Sequence, residues 1–228
     1  PYDGAIAKWL RPEPLPGDVM RTIRFSEIFA HGFGVVMILM TVATLDQRGW
    51  RLLPRLLTCA FMPGLCSNLI KLSVVRYRPN TYRLKKIPLE FADSFDGWFP
   101  TFHLPEEIAT DHTIQSFPSS HTAMAFGLAL GLSSLYPRGR VLFFGFAVLS
   151  ALQRIVDSAH FTTDVIVGAG VGLFVAWYFQ SPNRWTEKLW RKWEGRDPTT
   201  NKPDGLAATD IIELDSLTPE SSPARRAG

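Results

Sequence analysis

Three short clusters carry the residues able to do chemistry. Lys71 precedes Arg78 by seven residues and Pro79 follows; Pro118-Ser119-Ser120-His121 comes next; Arg154, His160 and Asp164 form the third. They supply three cations, two imidazoles and one carboxylate, a set suited to metal-free phosphoryl transfer. A phosphate monoester carries up to two negative charges, and its transition state spreads charge over three equatorial oxygens. Arg offers those oxygens a planar fork and Lys a compact point charge. Lys71 and Arg78 share a face if a helix persists between them, and Arg154 arrives from another segment. Cations would then surround a phosphorus from two directions. Ser119 or Ser120 reads as a helix N-cap, whose free backbone N–H groups attract anions. His121, on that first turn, would sit beside the bound phosphate. His160 and Asp164 are four apart on one predicted helix face, so the carboxylate is expected to hold Nδ1–H and present Nε2. The reading makes His160 the nucleophile of a phosphohistidine intermediate. His121 protonates the leaving alcohol, then activates water. Metal binding competes poorly, because the pattern lacks paired His or clustered carboxylates and three cations would repel a metal. No metal or cofactor is expected.

Five apolar segments must position these groups: roughly 28–45, 54–75, 119–136, 141–157 and 161–180. Each approaches the ~20 residues a spanning helix requires. Lys71, Arg154 and Asp164 lie beside them, where a charge costs about 2.5–3.5 kcal/mol at full membrane depth. Arg55, Pro63 and Asn68 in the second segment imply a helix kinked or packed against neighbours. Only Pro137-Arg138-Gly139-Arg140 joins the third and fourth, which forces an antiparallel hairpin. Gly168, Gly170 and Gly172 permit close helix approach in the fifth. The fold class expected is all-α, a polytopic membrane bundle of about five spanning helices. A soluble bundle is disfavoured, since helices of this length without charged faces are rare in water.

Arg48, Arg51 and Arg55, then Arg138 and Arg140, then Arg184, Lys188, Arg191 and Lys192 fall on one side if spans alternate. The positive-inside rule makes that side cytoplasmic. The motifs, all at the other ends, would face away from the cytoplasm, in a bacterial inner or cell membrane. Five spans with a cytoplasmic C-terminus put the N-terminus outside; a signal or a sixth span upstream of Pro1 would reconcile this with ordinary insertion. Residues 1–27 read as an extracytoplasmic or interfacial segment with a short helix at about 18–27. Residues 28–196 read as the membrane domain with an extracytoplasmic loop at 76–118, and 197–228 as a disordered cytoplasmic tail. The loop's middle, Phe91 to Phe102, carries Phe95, Trp98 and Phe99, suited to a headgroup zone or to packing within the loop. The net charge of +3 and the absence of zinc-knuckle spacing exclude nucleic acid as a partner. A mean hydropathy of +0.04 averages apolar runs against polar loops and tail. The two cysteines, Cys59 and Cys66, would lie about 10 Å apart on one helix face, beyond the ~7 Å of a disulfide. They read as buried free thiols.

The clusters resemble the signature of the type 2 phosphatidic acid phosphatase family, within the superfamily of lipid phosphate phosphatases and vanadium haloperoxidases. That signature runs Lys-x6-Arg-Pro, Pro-Ser-Gly-His, then Ser-Arg-x5-His-x3-Asp. KLSVVRYRP (71–79) matches fully; PSSH (118–121) has Ser120 in place of Gly; QRIVDSAHFTTD (153–164) has Gln153 in place of Ser. The similarity covers about residues 28–180. It implies phosphate binding by Lys71, Arg78 and Arg154, with Ser119 and the Ser120 backbone assisting. It also implies His121 as acid, His160 as nucleophile, Asp164 as its partner, and no metal. Ser120 adds a Cβ that would strain a position needing φ > 0 or close phosphate approach, whereas Gln153 still hydrogen-bonds but reaches further than Ser.

The activity expected is hydrolysis of the terminal phosphate of a phosphatidate-like or polyprenyl (di)phosphate lipid in the bilayer. The alternatives are phosphoryl transfer to an alcohol, a vanadate-dependent haloperoxidase, and an inactive lipid-phosphate binding protein. Among the neighbours, Arg76 reads as an outer or headgroup cation and His31 as a packed membrane histidine. His103, His112, Glu106, Glu107 and Asp111 read as solvated, and Asp157 should point away from phosphate or pair with a loop cation.

Overall fold

The computed structural model describes residues 3, 4, 6, 16–84, 112–181, 186, 188 and 190. The chain divides into two units, Pro1–Pro182 and Asn183–Gly228. In the second, Thr186, Lys188 and Trp190 are helical. The aromatic loop segment Phe91 to Phe102, His103, Glu106, Glu107, Asp111, the His112 side chain and the tail from Asp197 lie outside the described residues.

The first unit is helical. Helix α1 runs Gly17–Phe25, with Asp18 in its first turn and Arg24 in its last, each opposing the helix dipole there. A 3₁₀ turn, Ser26–Phe29, follows it. Helix α2 is the apolar Gly32–Leu45, and α3 is Gly49–Lys71, with Pro54 and Pro63 inside it. The short α4, Pro79–Leu84, starts on the proline whose missing N–H a first turn tolerates. Then come α5, Ser120–Leu135; α6, Arg140–Val156, entered through the 3₁₀ turn Pro137–Gly139; and α7, Thr162–Gln180. Among the described residues there is no strand, only an isolated parallel bridge between Arg76 and Gln115.

Helix α5 is the axis of the bundle and packs on α3, α6 and α7. The sequence allows this through small residues. A Cβ at Gly168 or Gly172 of α7 would strike the carbonyl oxygens of Ser119 and Ala123, and one at Gly127 of α5 would strike that of Cys59. Leu56 and Ala60 of α3 and Leu128 and Leu132 of α5 fill the shared core with Val35 and Leu39 of α2. Pro63 is buried there too, so α3 is packed rather than bathed in lipid. Both cysteines are free thiols, Cys59 buried and Cys66 half-buried.

Among the described residues, three helices are long and apolar enough to cross a membrane: Gly49–Lys71, Pro137–Val156 and Thr162–Gln180. Gly17–Phe29 with Gly32–Leu45, bent by 68° between them, makes a fourth if the pair counts as one span. The described residues therefore offer three or four spans by this measure, against the five expected. The first apolar segment breaks at Ala30–His31, leaving a helix of 14 residues. The third yields only 16 residues, about 24 Å of helix against a ~30 Å hydrocarbon core. His31 is corrected as well: the break leaves it exposed at the start of α2 rather than packed.

The alternation of helices separates two ends. The C-terminal ends of α3 and α6 meet the N-terminal ends of α5 and α7, where Ser119 N–H donates to the Asp164 carbonyl at 3.0 Å. At the other end Tyr136 Oη donates to Asp46 at 2.7 Å, pinning the α2–α3 turn to the end of α5. Arg48, Arg51, Arg138 and Arg140 all flank that second end.

Candidate active site

The second and third clusters meet where Ser119 N–H donates to the Asp164 backbone carbonyl at 3.0 Å, and the side chain of the same residue is a buried carboxylate. Asp164, on the first turn of α7, is fully buried. Its Oδ2 accepts from Ser116 Oγ at 2.6 Å and from Phe161 N–H at 2.8 Å, closing the start of the helix. Its Oδ1 accepts from Arg76 Nη1. Arg76 is itself buried and lies over the Phe161 ring at 4.4 Å. It also donates to Thr163 Oγ1 and to Asp3, each at 2.7 Å. Arg76 is thus the counter-ion of Asp164, not a cation facing lipid headgroups. The bridge to Gln115 sets its backbone, with Arg76 N–H donating to Ile114 at 2.9 Å and Ser116 N–H to Arg76 at 3.0 Å.

His160 is 2% exposed. Its Nδ1 lies 2.7 Å from the Ser116 carbonyl and 3.6 Å from Asp164 Oδ2. The hydrogen bond expected to Asp164 therefore goes to Ser116, and the carboxylate stands behind it at ion-pair distance. A carbonyl only accepts, so Nδ1 carries the proton and Nε2 keeps its lone pair. Burial holds the His160 pKa below the ordinary imidazole value, and Arg78 and Lys71 add to this, while Asp164 acts in the opposite sense. The unfolded chain then binds more protons than the folded one between the lowered value and about 6.5. Stability should be flat above about pH 6.5 and fall as pH drops below it. Melting temperature against pH checks this, and a His160→Gln variant should show a shallower slope.

Lys71, Arg78, His121, Arg154 and His160 come within electrostatic reach of one another. Lys71, at the end of α3, is 8% exposed. Neither its ammonium nor the half-buried guanidinium of Arg78 has a side-chain partner among the described residues, and Arg78 Nε is a buried donor without an acceptor. Burial first, and Arg154 second, lower the Arg78 pKa; a bound anion would relieve both. Arg154 differs, because its Nη2 already donates to Glu27 at 2.6 Å.

The two departures from the family signature have local partners. Ser120 Oγ donates to Asn68 Oδ1 of α3 at 2.7 Å. Its backbone does not need the positive φ at which a Cβ would be strained: among the described residues the non-glycine with positive φ is Ser158, at 55°. Gln153 is buried; its Oε1 accepts from Arg154 Nε at 2.5 Å and its Nε2 donates to Asp157 at 2.6 Å. Asp157 also pairs with Arg24 of α1 at 3.4 Å. Ser119 serves as N-cap of α5, its Oγ accepting from Thr122 Oγ1 at 2.9 Å. Ser120 and His121 N–H precede the first intrahelical bond, Ala123 N–H to the Ser119 carbonyl. Ser116 and Glu27 were not singled out by the sequence, since no spacing rule links either to the motifs. Asn68 was noted only as a polar residue within a span.

An apolar cavity of about 450 Å³ lies along α6 between Phe143 and Leu149. Phe25, Ile28 and Phe29 line it on one side, and Phe143, Phe146 and Leu149 of α6 on the other.

At one end, this bundle of apolar helices carries cations and two imidazoles. The PAP2 superfamily model matches residues 52–187, and the chain belongs to that superfamily, the type 2 phosphatidic acid phosphatases. It is similar to the lipid A 1-phosphatase of Rhizobium etli, 29% identical over 117 residues, which are 51% of this chain and 44% of the relative. It is also similar to the lipid A 1-phosphatase of Porphyromonas gingivalis, 36% identical over 92 residues, 35% of this chain and 21% of the relative. The chain thus spans less than half the length of these curated relatives. A crystal structure of Aquifex aeolicus LpxE aligns with a TM-score of 0.49 at 17% identity, over 75% of this chain and 90% of that one.

Proposed function

We propose that this protein hydrolyses the terminal phosphate of a lipid-linked phosphate through a phosphohistidine, at the extracytoplasmic face of a bacterial membrane. The observation that carries the reading is the pairing of a buried His160, its Nδ1 held by a carbonyl, with two cations, the buried Lys71 and the half-buried Arg78, that have no side-chain partner among the described residues. Such cations are costly unless an anion joins them. Phosphate oxygens supply it.

In the first step His160 Nε2 attacks phosphorus in line with the leaving oxygen. The N–P bond forms as the bond to the lipid oxygen breaks, and His121, which takes up a proton beside the incoming phosphate dianion, delivers that proton to the leaving oxygen. The charge developing on the equatorial oxygens is met by Lys71, Arg78 and Arg154, and by the backbone N–H groups of Ser120 and His121. In the second step His121 takes a proton from water, whose oxygen attacks the phosphohistidine. The N–P bond breaks and inorganic phosphate leaves. Ser116 fixes the ring and tautomer throughout, while Asp164 balances the imidazolium character that develops as the bond forms. No divalent ion is required for either step.

Substrate class follows from the relatives' names and from the cavity. A phosphate borne on lipid A is the first candidate, with phosphatidate and polyprenyl diphosphates beside it. The apolar cavity along α6 suits an acyl chain whose headgroup reaches Arg154. Extracytoplasmic placement rests on the arginines at the opposite helix ends, which favour the cytoplasm. Phosphate release should be measured for the purified chain in detergent with lipid A, phosphatidate and a polyprenyl diphosphate, each with and without chelator. We expect release from at least one, undiminished by chelator. Binding of phosphatidate without release at any pH would leave a binding protein instead, and a strict divalent requirement would overturn the metal-free steps.

A further inference from the structure

Asp3 is a charged group at this end of the bundle that the proposed steps leave unused. It is joined to the site through Arg76. Its Oδ2 accepts from Arg76 Nη2 at 2.7 Å and from Thr163 Oγ1 at 2.5 Å, and its Oδ1 accepts from Thr163 N–H at 3.2 Å. Thr163 Oγ1 in turn accepts from Arg76 Nη1 at 2.7 Å, so the three side chains close a ring. The contact is sheltered: the Asp3 side chain is 16% exposed and that of Arg76 not at all.

The first consequence is local. Helix α7 starts after Phe161, which has no side-chain acceptor to offer the free N–H groups of the first turn. Asp3, 160 residues away in the chain, accepts the Thr163 N–H as an N-cap side chain would. A carboxylate there also opposes the helix dipole. Asp3 thereby fixes the turn that carries Asp164, the carboxylate behind His160.

The second consequence is one of charge. Arg76 and Asp164 alone would cancel, and a neutral pair does little for a cation that forms beside it. Asp3 gives the same guanidinium a second carboxylate, so one cation is shared by two anions and the cluster is net negative. Lys71 and Arg78 bear on the His160 ring as positive charges, and His121 is within electrostatic reach as well. When Nε2 bonds to phosphorus, the ring becomes a cation among cations. A net negative cluster centred on Asp164, whose Oδ2 lies 3.6 Å from Nδ1, offsets that repulsion most when the ring is charged. We infer that Asp3 is a positioning residue for His160: by capping α7 and sharing Arg76 it holds Asp164 in place and leaves it a net charge for the nucleophile. It acts through Arg76 and Asp164 rather than on the substrate. This rests on the phosphatase reading of the same site.

The test is phosphate release by the full chain from lipid A, phosphatidate and a polyprenyl diphosphate in mixed micelles, for the wild type, Asp3→Asn, Asp3→Ala and Asp3→Glu. The amide keeps an oxygen for the Thr163 N–H and loses the charge; alanine loses both; glutamate restores the charge. Asp3→Asn should lower kcat about fivefold or more with KM within about twofold, since Lys71, Arg78 and Arg154 are untouched. Asp3→Ala should lower kcat by a similar factor and lose more stability, its cap being gone. Asp3→Glu should return kcat to within about threefold of wild type. Melting temperature, followed for each variant, reads folding separately from rate. A kcat for Asp3→Asn within about twofold of wild type, or a loss confined to Asp3→Ala and matched by its melting temperature, makes Asp3 a structural cap only. Either result overturns the inference while the phosphatase reading stands. A wild type that releases phosphate from none of the three lipids overturns both.

Discussion

His160→Ala lowers phosphate release from a lipid phosphate by about 10⁴-fold or more while the protein remains folded. The magnitude is that of removing a nucleophile whose bond to phosphorus no neighbour can make. Asp164, the nearest carboxylate, is turned into hydrogen bonds from Arg76, Ser116 and Phe161. His121 sits on another helix, at the start of α5. The missing ring leaves a cavity beside Ser116 and some stability is lost with it, so melting temperature must be followed alongside rate. What separates chemistry from folding is the phosphate site itself. The variant should still bind inorganic phosphate, because Lys71, Arg78 and Arg154 are untouched. Turnover within tenfold of wild type would reject His160 as the nucleophile.

Arg76→Leu should cost about 3–5 kcal/mol of stability, the usual consequence of stranding one member of a buried ion pair. Arg76 and Asp164 are both fully buried, and the same guanidinium reaches Thr163 and Asp3. Removing it leaves a carboxylate sealed in the protein with only Ser116 and Phe161 to satisfy it. Arg76→Lys keeps the charge but loses the fork, so its cost should be smaller though not negligible. Arg76→Leu combined with Asp164→Asn should cost less than the sum of the single changes, since the amide no longer needs a cation. Unfolding in detergent micelles reads the wild type, both Arg76 variants, Asp164→Asn and the double variant. A loss below about 1 kcal/mol for Arg76→Leu would contradict the counter-ion assignment.

These two residues show what the sequence displays and what it hides. His160 was marked by its spacing to Arg154 and Asp164, because helix geometry turns such spacings into shared faces and ends. Arg76 lies two positions from Arg78 and carries the same charge. An extended, bridged backbone from Val74 to Arg78 sends one guanidinium into the protein toward Asp164. No helical period foretells that. Ser116 escaped for a related reason: what holds His160 is its backbone carbonyl, and a carbonyl has no residue type to recognise. Glu27 lies 127 residues from Arg154, so only the fold joins them. The membrane reading fared similarly. Apolar runs announced helices, but hydropathy is blind to the break at Ala30–His31 and to a helix of 16 residues at the bundle axis. Gly168 and Gly172 of α7 were legible because close packing leaves a clear mark, small residues one turn apart, whereas Gly170, expected to act with them, has nothing within 4 Å of where a Cβ would stand.

The account stands on the convergence of Lys71, Arg78, Arg154, His121 and His160 around a single oxyanion, and a structure of the protein with orthovanadate tests it most directly. Vanadate adopts the trigonal-bipyramidal shape of phosphorus in flight. Vanadium should be found bonded to His160 Nε2, with its equatorial oxygens on Lys71, Arg78 and Arg154, the last released from Glu27, and with His121 at the apical oxygen. Vanadate bound away from His160, or touching Arg154 while Lys71 and Arg78 face elsewhere, would contradict the account.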